Sequence, residues 1–329
     1  MPKILIIRFS SIGDIVLTTP VIRCIKEQVK DAEVHYLTKK SFEKIVSLNP
    51  NVSKTHSIEK DISEVIDVLK MEKYDYIIDL HNNIRSLRVK QALGTNSFSF
   101  NKLNFKKWLL VTFNINKLPA IHIVERYLEP LKQLGIVNDL KGLEFYIPEK
   151  DEVQLSSLPL PQQKDYIGIV IGAAHFTKRL PLEKIIEVCK KLQQPIVLLG
   201  GKEDKEIGEK IATAVGEKVY NACGIYNLQQ SASLVKQAKA IITNDTGLMH
   251  IAAAFKKDIV SVWGNTVPEF GMYPYLSGKG ENGRGAIIQV NGLSCRPCSK
   301  IGYQKCPKGH FKCMTAIDSN TIVKAVEDI

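Results

Sequence analysis

Short apolar runs recur along this chain, each ending in small or polar residues and each followed by a longer stretch with apolar positions near helical spacing. The first, Lys3 to Phe9 (KILIIRF), is a continuous apolar segment of the kind that fills a parallel sheet. Behind it Ile15, Ile22, Ile25 and Val29 predict a crossing helix. Glu33 to Thr38 and Tyr74 to Leu80 are the next predicted strands. The rhythm breaks at PEKDEVQLSSLPLPQQKD, Pro148 to Asp165, and then restarts. Strands are predicted at Tyr166 to Gly172, Pro195 to Gly201, Ala240 to Asn244 and Asp258 to Gly264, with a helix over Pro181 to Leu192 that has proline at its first turn. Strands alternating with helices predict an α/β chain with doubly wound parallel sheets. The expected domains are 1–155 and 156–318, followed by a terminal helix at 319–329. Two such halves are expected to face a central cleft, with ligands at the carboxyl ends of the strands.

With 329 residues, 44% of them hydrophobic and 24% charged, the chain is long enough for two well-cored globular domains. No apolar run approaches the roughly 20 residues that cross a bilayer, and the amino terminus lacks a signal-peptide pattern, so the expected location is cytoplasmic. The formal charge of +11 points to an anionic partner. Its distribution is uneven. No acidic residue occurs from Leu80 to Val124, where Arg85, Arg88, Lys90, Lys102, Lys106, Lys107 and Lys117 are interleaved with Phe98, Phe100, Phe105, Trp108 and Phe113. A second acid-free stretch runs from Asn282 to Ile317. An anionic substrate or membrane surface fits these stretches; with no nucleic-acid-binding motif in the chain, nucleic acid is not an expected partner.

Several strand ends carry residues suited to chemistry. In RFSSIGD, Arg8 to Asp14, Ser11-x-x-Asp14 has capping-box spacing, so Asp14 is open to two uses, a helix cap or a proton-accepting carboxylate. In GAAHFTKRLP, Gly172 to Pro181, Lys178 sits in a strand-to-helix loop where an ammonium can neutralise a departing diphosphate. In TNDTGLMHIAAA, Thr243 to Ala254, Asp245-Thr246-Gly247 opens a helix with His250 one turn beyond. Exposed helix-start amides, a hydroxyl and a glycine make a cradle for phosphate. The plain alternative is that Asp245 or Thr246 only caps the helix and His250 only packs. At Gly200-Gly201 the backbone can approach a ligand, and Glu203, Asp204 and Glu206 follow in the first turn.

Together these segments resemble glycosyltransferase family 9, which includes the lipopolysaccharide heptosyltransferases: RFSSIGDIVLTTP its amino-terminal signature, TKRLP its lysine loop, TNDTGLMHIAAA its donor-site signature. The resemblance implies a GT-B fold of two Rossmann-like domains, an inverting mechanism and no catalytic metal. It implies a donor of the ADP-sugar class, heptose or a related sugar, and an anionic lipopolysaccharide-core acceptor reached by peripheral contact with the inner membrane. Carried over, Asp14 is the general base and Lys178 meets the diphosphate. Thr246 and Gly247 contact that group, Asp245 and His250 shape the site, and Asp204, with Glu203 as competitor, meets the ribose. Ser10, Ser11, Gly13, Thr177 and Gly201 belong to the same donor-side set, and Arg85 is the expected acceptor contact. Ala173 and Ala174 stand where some relatives have threonines, which leaves open another nucleotide-sugar donor, or a non-catalytic nucleotide-binding protein of the same fold.

Four of the seven cysteines form Cys295-x2-Cys298-x7-Cys306-x6-Cys313, the spacing of a small metal knuckle, with His310 as an alternative ligand. A structural zinc, free or redox-active thiols, and an iron–sulfur cluster are the three uses open to it.

Overall fold

The computed structural model describes residues 1–276 and 283–329, so Asn282 of the second acid-free stretch lies outside the described residues. In the first domain, strands β1 (Lys3–Ile7), β2 (Glu33–Lys39), β3 (Lys54–Ile58), β4 (Tyr76–Asp79) and β5 (Ser97–Ser99) form an all-parallel sheet in the order β3-β2-β1-β4-β5. Helices α1 (Ile12–Val16), α2 (Thr19–Gln28), α3 (Glu43–Val46), α4 (Ile66–Glu72) and α5 (Ile84–Leu93) lie between the strands. Leu5, Ile7, Leu37 and Ile77 share one buried cluster with Leu69 of α4 and Val89 of α5, which is why the central strands read as unbroken apolar runs.

The chain then gives α6 (Asn104–Phe113) and α7 (Ile123–Leu128). The second domain holds β6 (Ile167–Val170), α8 (Leu182–Lys191), β7 (Ile196–Leu199), α9 (Lys205–Val215), β8 (Val219–Asn221), α10 (Leu228–Gln237), β9 (Ala240–Asn244), α11 (Gly247–Ala254), β10 (Asp258–Trp263), β11 (Gly285–Gln289), α12 (Lys312–Thr315) and α13 (Ser319–Asp328). Its parallel sheet runs β11-β10-β9-β6-β7-β8.

The first domain comprises 1–102 and 121–146, and the second takes 103–120 along with the rest of the described chain. Leu110 of α6 packs on Val267 and Phe270, which assigns this helix to the second core. The returning segment is tied to α2 by Arg23, which pairs with Asp139 at 2.5 Å and with Glu144 at 3.1 Å. The polar stretch 148–165 is not a free linker: the Val153 amide donates to Ser233 Oγ and Glu152 pairs with Lys236, both on α10. The terminal helix α13 is likewise part of the second core, burying Ile322, Val323 and Val326.

Strand order reverses between β1 and β4 in the first sheet and between β6 and β9 in the second. Loops leaving the carboxyl ends of such neighbours splay apart, and the crevice between them is where open α/β sheets bind ligands.

Candidate active site

The loop after β1 carries Asp14 in the first turn of α1. Its carboxylate accepts the Ser11 amide at 3.2 Å and the Ser11 hydroxyl at 2.8 Å, so the cap exists. It also pairs with Arg8 at 2.6 Å. Arg8 is buried, donates further to the carbonyls of Ser10 and Leu80, and lies 5.9 Å over the Tyr127 ring. A guanidinium fixed at three points holds one carboxylate oxygen in a single direction, which capping alone does not require. Gly13 is buried, Ser10 half-buried and Ser11 exposed. At the end of neighbouring β4, Asp79 accepts the amides of His81 and Asn82 and pairs with Lys90 at 3.1 Å. His81 is lowered to about 4 by burial, with the Arg8 and Lys102 cations adding to it. The Arg85 guanidinium sits 5.4 Å over the Phe9 ring, on the same side of the sheet end. This edge of the first domain thus gathers the cations Arg8, Arg85 and Lys102 and the His81 ring around two carboxylates, Asp14 and Asp79.

The second switch point gathers the lysine loop after β6 and the helix start after β9. Lys178 donates to Asp245 Oδ2 at 2.6 Å, and the Thr266 hydroxyl donates to the same oxygen at 2.9 Å. Neither Asp245 nor Thr246 behaves as a simple cap. Thr246 occupies the N-cap position of α11 without a side-chain bond to the helix, and its Oγ1 is shielded from water with no hydrogen-bond partner. A buried hydroxyl without a partner costs free energy, which a ligand oxygen at the open amides of α11 removes. Gly247 leaves the backbone open there, and His250 is buried one turn on.

Of the neighbouring acids Glu203 and Asp204 after β7, only Glu203 is exposed. Asp204 is 2% exposed, accepts the Gly201 amide and pairs with Arg179 at 3.0 Å. A Cβ at Gly172 would stand 2.1 Å from its Oδ2, so the glycine is what lets this carboxylate under the lysine loop. Burial raises Asp204 above the ordinary aspartate range. Arg179 in turn holds the Ala173 carbonyl with two donors. Asp204 therefore positions the loop, while the exposed Glu203, whose carboxylate covers the bare Gly201, faces solvent.

Thr177 is also a support. It is 1% exposed, accepts the Tyr303 amide at 2.8 Å and lies 3.0 Å from Asn265 Oδ1. Tyr303 belongs to the Cys-rich loop, which braces the lysine loop at further points: Phe311 stacks on Phe176 with ring centroids 5.1 Å apart, Gln304 donates to the Ala174 carbonyl, and Gly302 packs against His175. Within the Cys-rich loop Cys295 Sγ lies 3.7 Å from His310 Nε2, and burial raises the thiols of Cys298 and Cys313. Among the described residues, Cys295, Cys298, Cys306, Cys313 and His310 contribute no three ligand atoms within 4.8 Å of one another. Arg8, Arg179, Asn265 and Thr266 were not singled out from sequence. The two arginines lie inside the motifs RFSSIGD and TKRLP, and the signal for them was a cation directly at a strand end or beside the lysine.

Two Rossmann-like domains, each with a candidate ligand-binding edge at its switch point, make up a GT-B fold. The sequence profile of glycosyltransferase family 9 (heptosyltransferase) matches residues 62–300, and the chain belongs to that family. It is 25% identical over 293 residues to lipopolysaccharide heptosyltransferase 1 of Campylobacter coli, covering 80% of this chain and 84% of that one. Its fold is similar to a family 9 glycosyltransferase from Veillonella parvula (TM-score 0.80, 23% identity, 99% and 96% of the two chains). It is also similar to the E. coli ADP-heptose heptosyltransferase II (TM-score 0.74, 22% identity, 99% and 98%).

Proposed function

We propose that this enzyme transfers a heptose, with inversion, from an ADP-heptose donor to the anionic inner core of lipopolysaccharide, without a catalytic metal. Asp14 takes the proton of the acceptor hydroxyl as its oxygen attacks the anomeric carbon. The bond from that carbon to the diphosphate oxygen breaks, and ADP leaves with the electron pair. Lys178, the Thr246 hydroxyl and the amide end of α11 meet the charge that develops on the leaving group, the place a metal fills in other transferases. Glu203 meets the ribose, and Arg85 meets acidic groups of the acceptor. The observation that carries this reading is the unpartnered Thr246 hydroxyl beside the Lys178–Asp245 pair, a site shaped for anionic oxygens. The similarity to the E. coli ADP-heptose heptosyltransferase II supports the choice of donor. Release of ADP from ADP-heptose with a truncated lipid acceptor, undiminished by a chelator, is the test; no ADP release, or release abolished by the chelator, refutes it.

No helix among the described residues is long and apolar enough to cross a membrane. On α6, however, Phe105, Trp108 and Phe113 are exposed at 69%, 44% and 56% while only Leu110 is buried, and Lys106 and Lys117 are exposed beside them. A basic helix with an aromatic face fits peripheral contact with the anionic cytoplasmic leaflet where the acceptor is made. The Cys-rich loop serves as the brace of the lysine loop.

A further inference from the structure

We infer that His35, His56 and Glu72 form a site for one divalent metal ion of the zinc class in the first domain, on the sheet face covered by α4. The strand register brings the imidazoles together: His35 pairs with Lys54 and Leu37 with His56, so both histidines point to one face from adjacent strands. His35 Nδ1 and His56 Nε2 lie 3.4 Å apart. Glu72, the last residue of α4, places one oxygen 3.9 Å from the former and the other 4.0 Å from the latter. With Zn–N distances of about 2.0–2.1 Å, ligand atoms on a tetrahedral zinc stand about 3.3 Å apart. The two nitrogens already have that spacing, and the carboxylate has to close by only about half an ångström.

The protonation pattern agrees. His35 Nε2 is 2.7 Å from Glu33 Oε1. A carboxylate only accepts, so the ring proton is on Nε2 and the Nδ1 lone pair faces the site, the carboxylate–histidine arrangement that orients metal-binding imidazoles. The Tyr74 hydroxyl, 2.9 Å from one nitrogen and 3.1 Å from the other, bridges them without the ion and is an oxygen available as a fourth ligand. Lys3 and Lys54 hold Glu72 at 2.7 and 2.6 Å and neutralise it in the ion-free protein. The ion takes over that charge, and Lys54, half exposed, returns to solvent.

Cobalt(II) titrated into the untagged, chelator-treated full chain tests this, because thiolate ligands announce themselves by an intense charge-transfer band. Expected is one equivalent of cobalt with ligand-field bands but no thiolate band, displaced by zinc, together with a higher melting temperature. His56→Gln and Glu72→Gln are expected to weaken binding about tenfold or more, and Cys298→Ser to leave it unchanged. Should His56→Gln fail to fold, Lys54→Met at the exposed rim still decides: removing the competing ammonium tightens binding about threefold or more. A chain that takes up neither cobalt nor zinc overturns the inference. So does an ion with a thiolate band that is lost in Cys298→Ser and kept in Glu72→Gln, or an affinity that Lys54→Met leaves unchanged.

Discussion

Asp14→Asn separates the two uses of the side chain that the amino-terminal motif leaves open. An amide keeps an oxygen for the Ser11 N–H, so the cap survives; Asp14→Ala, which loses it, is expected to cost about 0.5–2 kcal/mol more. What the amide removes is charge. The Asp14 and Arg8 side chains are 22% and 10% exposed, and Arg8 keeps its bonds to the Ser10 and Leu80 carbonyls. The destabilisation is therefore about 1–3 kcal/mol, as for a hydrogen bond to a charged group, rather than the roughly 3–5 kcal/mol of a fully buried pair stripped of one member. A lost general base costs about 10²–10⁴-fold in rate, or about 2.7–5.4 kcal/mol of barrier at about 1.36 kcal/mol per decade. ADP release at saturating donor and acceptor, with a melting curve on the same sample, reads both numbers. The expected result is a folded protein with kcat reduced by at least about a hundredfold. A folded Asp14→Asn protein that keeps more than about a tenth of the parent kcat refutes the base and leaves Asp14 as a cap.

Lys178→Ala is expected to lower kcat about 10²–10³-fold and to weaken ADP binding, because it removes the ammonium that sits 2.6 Å from Asp245 at the start of α11; calorimetry with ADP checks the binding half. Thr177→Val strands the Tyr303 amide, costing about 1–3 kcal/mol, and should raise the donor KM more than it lowers kcat, whereas Thr177→Ser restores both; melting curves and donor titrations report it. His81 is held at about 4 against about 6.5 in the unfolded chain, so the unfolded chain takes up the proton first and stability falls as pH drops through that window. Allowing for its partial exposure, the loss is about 1–2 kcal/mol, and His81→Asn should flatten melting temperature against pH between those values. Replacing Phe105 and Trp108 by serine should lower sedimentation with anionic vesicles while leaving turnover of a soluble acceptor unchanged; equal sedimentation would exclude α6 as the membrane contact.

Patterning along the chain accounts for the fold class and for every strand in the middle of both sheets. β1, β2, β4, β6, β7, β9 and β10 are buried on both faces, and that burial demands the apolar runs by which they are recognised. The four unpredicted strands, β3, β5, β8 and β11, are the four sheet edges. KTHSI, SFS, VYN and GAIIQ are short and half solvated, and nothing in their composition requires an apolar run. The candidate-site motifs are legible for a related reason: a glycine, a hydroxyl and a charge at a strand end are chemistry that local sequence displays.

Only the folded chain shows which of those side chains are exposed and which are packed beneath their neighbours. Asp204 and Glu203 are neighbours in sequence, but one is folded under Gly172 and the other lies in solvent. Thr177 reads like a donor contact until Tyr303, more than a hundred residues away, is found on it. The placing of α6 with the second core, the Arg8 clamp on Asp14 and the meeting of His35, His56 and Glu72 likewise depend on contacts between distant segments. Local patterning fixes how each segment folds and which face it buries, whereas a site is set by which segments the packed core brings together, and strand order is chosen by the whole core at once.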